Sequence, residues 1–142
     1  MRISFGSRFA FDIDDGWTRT LALSLVDKSA GPPGFSLTVT NEQLPAGSSA
    51  AGYAAAQGEV LQRSLKDYAE IRASHFDTGR ALVPVREYSW RQEGAEIAQC
   101  QAYFVEGQEA WTLTFTATAQ AYPALRPQIP ALIRSVLSGG GG

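Results

Sequence analysis

The sequence predicts an α+β domain built on one antiparallel β-sheet with two helices packed on it, and three observations carry that reading. Most of the chain alternates apolar and polar residues with period 2, short Gly-containing turns separate the later alternating runs, and two stretches carry a helical stripe instead. At 142 residues there is room for one continuous core and none for a second domain. Residues 1–138 are expected to form that domain and residues 139–142 a flexible glycine tail or linker.

The elements follow in order. Phe9 to Ile13 alternates as a short strand, and Asp15-Gly16 turns the chain before Trp17. Thr20 to Val26 sets Leu21, Leu23 and Leu25 on one side and Ala22 and Ser24 on the other, the pattern of a half-buried strand. Gly31-Pro32-Pro33-Gly34 ends it. Phe35 to Asn41 alternates again and is rich in β-branched residues. A serine pair then caps a helix from about Ser49 to Leu65, with Tyr53, Val60, Leu61 and Leu65 as its buried stripe. Strands are expected at Tyr68 to Phe76, Ala81 to Gln92, Ala95 to Val105 and Gln108 to Thr118. Glu93-Gly94 and Glu106-Gly107 mark tight hairpin turns, so these strands form an antiparallel meander. Leu125, Ile129, Leu132, Ile133 and Val136 trace a second helix, expected to start near Pro127 because proline is tolerated only in a first turn.

Composition excludes several function classes. A net charge of -2 with scattered Lys and Arg gives no footprint for a phosphate backbone, so no nucleic-acid partner is expected. One cysteine, Cys100, and one histidine, His75, build neither a disulfide nor a Cys/His metal site, so no metal and no cofactor are expected. The N-terminus shows no export signal and no apolar run reaches the roughly 20 residues of a membrane span, so the expected location is the cytoplasm, without direct membrane insertion.

No catalytic constellation emerges. Asp12, Asp14 and Asp15 shape a turn, His75 has no nucleophile motif around it, and Cys100 shares a strand face with Ala98, Ala102 and Phe104 as a packed thiol. The expectation is a protein that is not an enzyme. Two features are less ordinary. Gln57 lies one helical turn from both Tyr53 and Leu61, and Gln99 and Gln101 share a strand face with Ile97, Tyr103 and Val105. Amides so placed must be satisfied by neighbouring protein groups or by a ligand, at about 1–3 kcal/mol each if left unpaired. A groove joining Leu21, Leu23 and Leu25 to the amides of Gln57, Gln99 and Gln101 would suit an apolar helix with occasional polar groups. Thr112, Thr114, Thr116 and Thr118 form a second row, read as a strand face turned to water.

The segments FAFDIDDGWT, GFSLTVTNEQLPAG, YAAAQGEVL, EYSWRQEGAEIAQCQAYF and WTLTFTATAQ, in that order, resemble the DcrB-like, PsbP-fold family, particularly the Eag chaperones of bacterial type VI secretion effectors. The resemblance spans about Phe5 to Leu137. It implies a three-layer α/β/α, PsbP-like arrangement and a homodimer. It also implies a cytoplasmic chaperone that binds and shields the N-terminal transmembrane helices of its effector before loading on the secretion spike. The family's groove strand matches Leu21 and Leu23, its helix glutamine Gln57, and its strand glutamine Gln101, with Gln99 the register alternative. Trp17 and Phe35 match structural positions; Asp14 replaces the family's usual proline. The alternative is a non-enzymatic PsbP-like accessory protein that binds a soluble or envelope complex.

Overall fold

The structure is a computed structural model that describes residues 2–5, 9–12, 22–27 and 35–139, with side chains from 35 to 134. Two short strands, β1 (Arg2–Phe5) and β2 (Phe9–Asp12), pair antiparallel. The main sheet takes β3 (Ala22–Asp27), β4 (Phe35–Gln43), β5 (Ala69–Asp77), β6 (Leu82–Gln92), β7 (Ala95–Glu106) and β8 (Glu109–Thr118), in the order β3-β4-β8-β7-β6-β5. Every neighbouring pair is antiparallel. The helix α1 (Ala50–Ser64) carries the chain from β4 to β5 at the far edge of the sheet.

The meander from β5 to β8 rests on local turn chemistry. Between β6 and β7 only Glu93 and Gly94 intervene, both with positive φ (50° and 83°), as a type I′ hairpin requires. Glycine adopts that conformation without strain, and its position after Glu93 is what the dipeptide signal anticipates. Between β5 and β6, the Asp77 carboxylate accepts from the Gly79 amide at 2.8 Å and closes an Asx turn.

The two faces of the sheet are covered differently. On one lies the C-terminal helical run: α2 (Tyr122–Leu125), a 3-10 turn (Arg126–Gln128) and α3 (Ile129–Gly139). Tyr122, Leu125, Ile129 and Ile133 bury against Ala98, Cys100 and Ala102 of β7 and Leu113, Phe115 and Ala117 of β8. The small side chains of β7 let the helices approach closely. Glu87, on β6, fixes this layer. Its side chain, 7% exposed, accepts from the Tyr122 hydroxyl at 2.6 Å and from Arg126 Nε at 2.7 Å. Burial alone would raise the Glu87 carboxyl, but these two partners hold it below its ordinary value.

On the other face α1 packs over β6 and β7, with Tyr53 and Ala54 against Tyr103 and Ala110. Ser49 caps α1, its Oγ accepting from Gly52 at 3.0 Å. The three-layer order of helix, sheet and helix results.

Some expected boundaries shift. β1 was not anticipated. The C-terminal run starts at Tyr122 and not near Pro127, because Pro123 sits in the first turn of α2, Pro127 in the 3-10 turn and Pro130 in the first turn of α3; each missing amide falls where no helical partner exists. α3 also continues through Ser138 and Gly139, into the expected tail. On α1, Val60 is 43% exposed and the contact is made by Tyr53, Ala54 and Gly58, a narrower stripe.

Candidate functional site

Period 2 assigns every residue of β7 to one face or the other, and the α1 face collects the polar ones. Gln99 pairs with Thr116, Gln101 with Thr114 and Tyr103 with Thr112 across the β7–β8 ladder. β8 in turn pairs with β4, setting Thr38 beside Thr114 and Thr40 beside Thr112. The threonine row read as facing water therefore meets the glutamines. Gln101 Nε2 donates to Thr114 Oγ1 at 3.1 Å and Gln99 Nε2 to Thr116 Oγ1 at 2.9 Å. Trp90 Nε1 donates to Gln99 Oε1 at 3.0 Å, and the Tyr103 hydroxyl to Gln101 Oε1 at 2.6 Å.

Between α1 and this surface lies an open hollow of about 540 Å³. Tyr53 and Gln57 line it from α1, Gln101 from β7, Thr112 and Thr114 from β8, and Thr40, Asn41 and Glu42 from β4. Tyr53 closes the inner end, its hydroxyl 2.7 Å from Thr112 Oγ1, and burial pushes that hydroxyl up to about 12. Gln57 Nε2 donates to Glu42 Oε1 at 3.2 Å. A primary amide has two N–H donors and two acceptor lone pairs. Gln101 and Gln57 each spend one N–H on these protein partners, which leaves one on each amide for an occupant.

The structure thus brings Gln57 and Gln101 into one hollow and sets Gln99 on the same face, farther along β7. The leucines are placed differently. Leu23 pairs with Val39 and Leu25 with Leu37, and those partners in turn pair with Leu113 and Phe115. Those ladder positions belong to the α2–α3 face, opposite the amides. Leu21, Trp17, Asp14 and Asp15 lie outside the described residues. The amides of Gln57, Gln99 and Gln101 are all partnered by side chains of strands. Sequence reading missed Thr114, Thr116 and Tyr103 as their partners, although the 99/101 and 114/116 spacings carried the signal once the hairpin register was known.

A second hollow, of about 530 Å³, lies at the C-terminal helical run and touches Phe76, Val85, Glu87, Cys100, Arg126 and Ile133. Glu87 is engaged there by Tyr122 and Arg126. Cys100 is buried, which pushes its thiol up to about 12, and His75 sits exposed on the edge strand β5. Among the described residues no three His, Cys, Asp or Glu side chains converge as a metal site, and no helix is long and apolar enough to cross a membrane.

Comparison with known proteins agrees with this architecture. The crystal structure of PA94 from Pseudomonas aeruginosa, described as a protein of unknown function and candidate regulator, matches with a TM-score of 0.78, over 94% of this chain and 93% of that one. At 16% identity the likeness concerns the fold alone. No curated protein matches the sequence. The DcrB family model matches residues 10–135, nearly the whole length over which the sheet and both helical layers extend, and the chain belongs to the DcrB family.

Proposed function

We propose that this protein is a chaperone of the Eag type, which binds and shields the N-terminal transmembrane helices of a type VI secretion effector in the cytoplasm until they reach the secretion spike. The observation that carries this reading is the open hollow in which Gln57 and Gln101 each retain an unspent amide N–H. The resemblance of the motifs to that group supports it, as does membership in the DcrB family.

The physics suits the task. An apolar helix of about 20 residues exposes surface worth about 25 cal/mol per Å² when covered. The few polar groups such a helix carries cost several kcal/mol each if buried without partners. A surface of threonine methyls beside amide donors meets both needs, since the methyls cover apolar area and the amides bond what is polar. The lining is mainly hydroxyls and amides, groups suited to hydrogen bonding an occupant, which supports a binding role. A second copy of the chain, in the C2 arrangement commonest among homo-oligomers, would add a wall and cover more of the helix.

Co-expression tests the proposal. The effector's N-terminal segment should stay soluble only with this protein, and the Gln57→Leu/Gln101→Leu pair should lose it while remaining folded. Equal solubility with and without the protein would sink the chaperone role. Capture of a folded soluble protein instead would favour an accessory role of the PsbP-like kind.

A further inference from the structure

If the hollow holds an apolar helix, as proposed above, its polar groups decide which helix. Their orientation traces to a residue outside the hollow. Gly58 is buried in α1, and a Cβ added there would lie 2.3 Å from Arg86 Nη1. The missing side chain lets the Arg86 guanidinium reach the helix backbone, where Nη1 donates to the Ala54 carbonyl at 2.9 Å and Nε to Glu70 at 3.0 Å. There it also lies over the Tyr103 ring, 6.0 Å from its centroid, and acts electrostatically on the phenol.

A guanidinium offers only donors. Beside it the phenol oxygen is favoured as an acceptor, and the hydroxyl proton is directed to Gln101 Oε1, 2.6 Å away. That contact settles which end of the Gln101 amide faces which way. Oε1 points to Tyr103, and Nε2 points to Thr114 with its second N–H available to the hollow.

We propose that Tyr103, seated by Arg86 against Gly58, is a positioning residue that holds the Gln101 amide with its N–H toward the hollow, so that the site selects apolar helices bearing a hydrogen-bond acceptor at that level. A purely aliphatic helix leaves the donor unpaired and is held less tightly. The preferred cargo is therefore a membrane-type helix with a hydroxyl or side-chain carbonyl on its buried stripe.

The probe is a lysine-flanked Leu/Ala helix of about 20 residues carrying one central Ser, with a second peptide that has Ala there. Wild-type protein should bind the Ser peptide about 3- to 10-fold more tightly, the span of one net hydrogen bond. In Tyr103→Phe the ratio should fall to about one, with the affinity for the Ala peptide unchanged. Gln101→Leu, which has no amide to donate, should erase the ratio too, and as a half-exposed position it keeps the test available if Tyr103→Phe fails to fold. A Tyr103→Phe protein that keeps the full ratio, even with weaker binding of both peptides, overturns the positioning role and leaves the binding role standing. A ratio that survives in Gln101→Leu overturns the donor assignment. Wild-type protein that binds neither peptide removes the binding role, and this inference with it.

Discussion

The two faces of the sheet share the same strands and do opposite things with them. Along β7, Ala98, Cys100 and Ala102 point to the C-terminal helices, and Gln99, Gln101 and Tyr103 point to the α1 side. On the first face small strand residues admit Leu125, Ile129 and Ile133 into the core. On the second, longer polar side chains bond one another across the ladder, and α1 packs mainly over β6 and β7. Stability is thus concentrated on one side and spare hydrogen-bonding capacity on the other. A strand can serve both because its side chains alternate.

Substitutions that separate the faces test this division. The largest effect is expected from Phe115→Ala, a cavity at a position 1% exposed beneath the C-terminal helices, which should cost about 3–5 kcal/mol in denaturant unfolding. Leu23→Asp comes next. Its ladder partner Val39 belongs to the same face, so a loss of about 2–3 kcal/mol is expected; an unchanged melting curve with lost cargo binding would instead return the leucines to the groove.

Glu87→Gln should cost about 1–2 kcal/mol at neutral pH. Because Arg126 and Tyr122 hold the folded Glu87 below its ordinary value of 4.5, its contribution is complete above that pH and is lost as pH falls through the lower folded value. Melting temperature followed from pH 7 to below pH 4 should therefore drop less steeply in the variant than in wild type. The smallest effect belongs to Tyr88→Phe on the α1 face. The Tyr88 hydroxyl is buried with no hydrogen-bond partner among the described residues, so its removal should leave the melting temperature unchanged or slightly raised.

Much of this architecture was legible in the sequence, and the reasons are local. The alternation in β4 and β6 to β8, the serine cap of α1 and the Glu93-Gly94 hairpin each depend on a few neighbouring residues, and each lies where periodicity and turn chemistry place it. What stayed hidden depends on partners distant in sequence. That β8 sits between β4 and β7, so that Thr114 meets Gln101, follows from the order of strands and not from any local pattern. Nor could a helical stripe reveal that Gly58 is buried because Arg86, on another element, reaches across to Ala54. For the same reason the leucine alternation gave a strand but not the face it joins. Of the glutamines, the helical and strand spacings brought out all three; Gln57 and Gln101 line the hollow, and Gln99 lies on the same face outside it.

Cys100 has a practical use that follows from its place at the centre of β7. With its thiol pushed up to about 12 and buried beneath the C-terminal helices, it is almost wholly unionised near neutrality and slow to react with alkylating reagents. Being the single cysteine of the chain, it makes the molecule its own labelling reporter. The rate at which it is trapped would record how often the sheet parts from that helical layer, without any engineered probe.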